Sequence, residues 1–266
     1  MTITVTEENL NQDQDTIGLL DEKNTDLWNE LCKIQKIQIK RDEFDNNGEK
    51  CEIYSVDYGN TFPTIHVPKH NLNPAIFTHE LLHIYLKTKG IRIGEYIIEV
   101  INHCRKTNYC NRLFSSIGQK EINAILNYLE HIKIIHKFIS LQYNQDEFVH
   151  ESVKQLYENI DLNIIKNNFT CTIFNSKHYR AEYIILYLIR YFQLKSYQLA
   201  KIVVEKQLTE LKKINKRFFG ILENFEKSWE KLDYNDKEQI KEYPTLVDRF
   251  LRDFNKWIKL KRITCS

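Results

Sequence analysis

Two histidines four residues apart, with a glutamate directly after the first, form the stretch His79-Glu80-Leu81-Leu82-His83. A helix turns 100° per residue, so positions i and i+4 share one face. On a helix, His79 and His83 therefore present two imidazoles to a single metal ion. Such an ion acidifies a water. The Glu80 carboxylate, next to the first ligand, is placed to take that water's proton and to return it to a leaving amine. The chemistry is hydrolysis of an amide, with His79 and His83 as metal ligands and Glu80 as general base.

That chemistry requires a real helix, and the flanking residues predict one. Asn73 is a natural N-cap, and Pro74 occupies the first helical position, where its missing N–H costs nothing. Apolar residues follow at 76, 77, 81, 82 and 84 to 86, and Gly90 supplies the C-terminal stop. Upstream, residues 25–34 read as a short helix and 37–40 as a strand. Two β-rich runs, 51–56 and 64–67, flank Gly59-Asn60 as a hairpin leading into the histidine helix.

The stretch Ile76-Phe77-Thr78-His79-Glu80-Leu81-Leu82-His83-Ile84-Tyr85-Leu86 resembles the active-site helix of zincin metallopeptidases, over residues 50 to 140. The resemblance implies bound zinc, peptide-bond hydrolysis and a β-sheet lying against the helix. A catalytic zinc takes three protein ligands. The metzincin continuation needs a third histidine six residues after the second, and Lys89 stands there. The gluzincin solution, a glutamate on a downstream helix, points to the helix over residues 119–141. Glu130 leads, with Asn127 one turn away to support its carboxylate; His131 and Glu99 are the rivals. His136 falls on the apolar stripe of Ile122, Ile125, Leu129, Ile132, Ile135 and Ile139, and reads as a core histidine.

Further along, His178, Tyr179 and Arg180 gather donors before an apolar helix, and His178 or Tyr179 is the candidate to stabilise an oxyanion during catalysis. His103, Cys104 and Cys110 lack the spacing of a zinc knuckle and read as a loop. His66 and His70 read as loop residues beside the cleft. Helices are expected over 96–105, 181–193, 197–231 (with a break near Gly220) and 244–261. Residues 168–174 read as a strand or extended loop.

The chain has 266 residues, a net charge of +2, seven glycines and four prolines. Few turn-formers in so long a chain predict an α+β fold that is predominantly helical. The near-neutral charge asks for no nucleic-acid partner. Six scattered cysteines fit reduced thiols, and neither a signal peptide nor a membrane span is read, so a cytoplasmic location is expected. The expected organisation is a tail over 1–16, a zincin-like core over 17–145 and a helical region over 146–266. The expected function is a zinc metallopeptidase with a protein or peptide substrate, narrowed to one specific partner. The alternative is a non-enzymatic helical interaction module with a structural metal site.

Overall fold

The computed structural model describes residues 16–43, 54–59, 62–106, 117–148, 162–196 and 201–264. Residues 1–15 of the expected tail, the first part of the hairpin (residues 51–53), Asn60 and Cys110 lie outside these residues, and Thr16, the tail's last residue, is buried. The fold is α+β and predominantly helical. In chain order the described elements begin with α1 (Thr25–Ile34), β1 (Gln38–Asp42), β2 (Ser55–Asp57), β3 (Thr64–Pro68) and α2 (Pro74–Thr88). They continue with α3 (Ile93–Lys106), α4 (Gln119–Ser140), α5 (Gln145–Phe148), α6 (Leu162–Asn168), β4 (Thr170–Ile173) and β5 (Ser176–Arg180). The last are α7 (Ala181–Ser196), α8 (Lys201–Ile214), α9 (Lys216–Lys231), α10 (Lys237–Ile240), α11 (Tyr243–Lys259) and β6 (Ile263–Thr264).

The chain packs as two compact units, Met1–Thr88 with Ile134–Val149, and Lys89–Lys133 with His150–Ser266. Helix α4 is one continuous 22-residue helix, and the division falls within it. In the first unit a three-stranded sheet has the order β1-β3-β2. The expected hairpin is present, since β2 pairs antiparallel with β3; β1 adds a parallel partner on the other side of β3. Central β3 buries Ile65 and Val67 completely. Helix α2 packs on β2, α1 and α5.

In the second unit, β4 and β5 form an antiparallel hairpin extended by β6 in parallel. Residues 176–180, read above as the polar lead-in to a helix, are strand β5, and α7 starts only at Ala181. The alternation of Ser176, His178 and Arg180 with Lys177 and Tyr179 is too polar to announce a strand; its pairing with β4 forms it. Helices α7, α8, α9 and α11 pack around an aromatic core. Phe218 lies between Phe254 and Trp257, at ring-centroid distances of 5.4 and 4.5 Å. The expected break near Gly220 falls at Asn215 instead. There the side-chain Oδ1 accepts from Phe218 N at 2.9 Å and caps α9, an asparagine competing with the helix for its own backbone. The expected helix over 96–105 is α3, which runs through Lys106, so His103 and Cys104, also read as part of a loop, are helical. Among the described residues no helix is long and apolar enough to cross a membrane.

Candidate metal centre

Helix α2 carries the two histidines, and its entry is fixed by its own cap. Asn73 Oδ1 accepts from Ala75 N at 2.9 Å and Ile76 N at 3.3 Å, while Asn73 N donates to Tyr54 Oη at 2.7 Å. One turn in, the fully buried Asn24 clamps the helix from below. Its Nδ2 donates to Thr78 Oγ1 at 2.9 Å, Pro74 O at 3.3 Å and Leu19 O at 2.9 Å. Leu81, Leu82, Ile84 and Phe77 are fully buried beside these contacts, so the register of α2 is set by apolar packing as well as by polar contacts. Gly90 takes a φ of +88°, a conformation glycine adopts without cost, and turns the chain after the helix.

The i, i+4 spacing works as expected. The His79 and His83 rings stack with centroids 4.9 Å apart, and their Nε2 atoms face one another at 3.0 Å. Burial, and then the neighbouring His83, hold the His79 pKa well below the usual histidine range, while a hydrogen bond to the Phe148 backbone acts in the opposite direction. The ring is thus held between His83 on one side and the Phe148 backbone on the other. A ring nitrogen held in this way directs the lone pair of the other nitrogen toward a metal. The Phe148 ring lies flat against His79, centroids 4.3 Å apart and planes 6° apart, and is itself packed edge-on by Phe138 at 5.0 Å. Glu80, half-buried, follows His79 on the same turn.

The third donor comes from α4. The ligand atoms of His79, His83 and His131 all lie within 4.8 Å of one another. His131 is buried, and contacts on both sides fix its helix. Trp229 Nε1 donates to Leu129 O at 2.8 Å, and Lys133 Nζ donates to Leu232 O at 2.5 Å and Glu230 O at 3.1 Å, closing the end of α9. The cost of burying the Lys133 ammonium shows in its pKa, pulled down by burial to about 8. Tyr128 meets the His131 ring edge-on at 6.2 Å.

The donor set fits a transition metal. Nitrogen ligands about 2.0–2.1 Å from a tetrahedral zinc lie roughly 3.4 Å from each other. The His79–His83 spacing of 3.0 Å is already close to this. The donors are all imidazoles, and at least His79 is kept neutral, the form that binds metal.

Glu130, the leading sequence candidate, is half-buried on α4 and is not among the grouped donor atoms; its neighbour His131 is. Glu99 is exposed on α3. His136, read as a core histidine, is exposed, as is Ile139 at the end of the same stripe. His178 lies on β5 opposite Cys171, with its Nδ1 buried and unpartnered among the described residues, and does not join the donor group. His66 is in strand β3, where its Nδ1 meets Asp42 Oδ2 at 2.5 Å. Phe148 is the contact the sequence did not suggest: an aromatic in a polar stretch carries no signal that it covers a histidine. Comparison with known proteins adds no relative: no family model, no curated protein and no solved structure matches this chain.

Proposed function

We propose that the chain is a zinc-dependent hydrolase of amide bonds, with His79, His83 and His131 holding the metal and Glu80 serving as general base. The observation that supports this reading is the convergence of three imidazole donors on one point, two of them from the His-Glu-x-x-His turn of α2. Three histidines leave a fourth coordination position for water or substrate, as catalytic zinc sites require. When bound, zinc acidifies water and polarises a carbonyl. The chain's own residues do the rest. His79 and His83 offer lone pairs oriented by the α2 backbone and by the Phe148 backbone. Glu80 takes a proton from the attacking water and delivers it to the amine that leaves. A protein or peptide with a narrow target is the substrate class that fits the zincin resemblance of the α2 stretch.

A second reading is a structural metal site in a non-enzymatic protein. The flat cover of Phe148 on His79 favours it, because structural sites are closed. One experiment separates the two. The metal content of the purified chain is measured, and unfolded casein is offered to the zinc-loaded protein and to its Glu80→Gln variant. Hydrolysis by the parent that falls at least a hundredfold in Glu80→Gln, with zinc content unchanged, supports the enzyme. Zinc bound, no hydrolysis of casein or of a peptide library, and a fold lost when the metal is chelated support the structural site. A chain that takes up no zinc refutes both.

A further inference from the structure

We propose that the second unit carries a phosphate-binding site, independent of the metal centre, in the cavity between the β4–β5 hairpin and the junction of α8 with α9. The cavity holds about 150 Å³ and opens to the surface. A void of that size admits a benzene-sized guest, so one phosphate group fits within it while the rest of its carrier stays outside.

Its lining sets the charge. Lys166 from α6, Lys177 from β5 and Lys213 from α8 surround the opening, and Glu210 is the single acid among the lining residues, which leaves two net positive charges. A phosphate monoester carries close to two negative charges at neutral pH. Glu210 already accepts from Lys213 Nζ at 2.7 Å. That hydrogen bond, with the nearby charges of Lys213, Lys166 and Lys206, holds its carboxyl below the usual range. The site is thus a basic cluster with one internal counter-charge. Two apolar rings belong to the lining, Phe169 and Tyr179, both buried, and an ion pair beside an apolar surface is screened less than one in open water. Lys177 Nζ lies 5.7 Å from the Tyr179 ring centroid, which holds it over this ring. Thr170 and Asn215 add hydroxyl and amide groups. Because Asn215 Oδ1 is engaged by Phe218 N, what Asn215 offers a ligand is its amide donors.

The phosphate could arrive free or on a lipid headgroup, and the hairpin tip tells the two apart. Phe174 is 98 % exposed and takes a φ of 47°, followed by Asn175 at 60°. A left-handed, fully exposed phenylalanine is costly in the free chain. It stands four residues beyond Thr170, roughly 13 Å along the strand, where it would enter the acyl region if the cavity held a headgroup.

The test uses the full chain. Inorganic phosphate is titrated by calorimetry with and without EDTA, against sodium chloride at equal ionic strength. Vesicles of phosphatidylcholine with and without phosphatidic acid are used in sedimentation. Lys177→Gln/Lys213→Gln and Lys166→Gln replace exposed side chains, and their melting temperatures check the fold. Saturable phosphate binding that EDTA leaves intact, weakened about tenfold or more by the double variant, supports the site. Binding confined to phosphatidic-acid vesicles, lost in both the lysine variants and Phe174→Ser, supports it with lipid as the source. Binding of neither probe, binding matched by chloride, or binding the lysine variants retain overturns it.

Discussion

Replacing His131 asks directly which α4 side chain completes the metal group. The variant is His131→Gln, because His131 is only 6 % exposed and an alanine there would leave a cavity whose cost would obscure the metal effect. Its comparison is Glu130→Gln one residue earlier. The donor atoms of His79, His83 and His131 lie within 4.8 Å, against roughly 3.4 Å expected between ligands of one zinc. Losing a partner that only supports a ligand costs 10- to 100-fold in affinity, so losing the ligand itself is expected to cost at least about 100-fold. At free zinc one hundred times the parent Kd, metal stabilises the parent fold by about 2.7 kcal/mol, raising Tm by roughly 5–10 °C for a chain of this size. At the same zinc concentration His131→Gln keeps about 0.4 kcal/mol, roughly 1 °C. Glu130→Gln keeps the parent shift. Zinc competition with a chromophoric chelator gives the affinities, and melting with and without zinc gives the shifts. A His131→Gln variant that binds zinc like the parent, or a Glu130→Gln variant that loses it, refutes the three-histidine assignment.

Three further predictions test the scaffold. Asn24→Ala leaves the buried Leu19 carbonyl and the Thr78 hydroxyl without their donor, and is expected to destabilise the chain by on the order of 3 kcal/mol and to weaken zinc binding; chemical denaturation measures the first and chelator competition the second. Asn73→Ala removes the side-chain acceptor for Ala75 N and Ile76 N, and is expected to cost about 1 kcal/mol in the same denaturation assay. The third concerns alkali. Burial raises the pKa of both Tyr187 and Tyr191 far above the ordinary phenol value, with Glu226 adding to the effect at Tyr191. A raised folded pKa means stability that is complete below pH 10 and is lost as the pH rises above it, and the two groups together are expected to cost about 3 kcal/mol at pH 11. Melting followed from pH 8 to 11 checks this, and Tyr187→Phe, which removes one titrating group, flattens the loss.

The α2 region was legible from sequence because each of its signals is local. Asn73 and Pro74 start the helix, Gly90 turns the chain after it, and four-residue spacing alone brings the Nε2 atoms of His79 and His83 to 3.0 Å. Helix α4 was legible as a helix and misleading about its faces. Its apolar stripe assigns His136 to the core, leaves His131 roughly 110° off the stripe's centre, and favours Glu130 as a polar residue well away from it. In the fold, residues 131 to 135 are all buried. The middle of α4 is therefore enclosed on every side, and periodicity identifies a buried face only where the opposite face meets water. Lys133 shows the same limit. A lysine in the stretch argues for solvent, yet here it is 4 % exposed because the carbonyls ending α9 accept its hydrogen bonds. Those carbonyls come from residues about a hundred positions downstream, and no window on the sequence joins them to His131. The same holds for Phe148 over His79 and for Asn24 under Thr78. In each case the partner is chosen by tertiary packing, which is why the helix carrying His79 and His83 could be read from sequence while the choice of His131 over Glu130 on α4 could not.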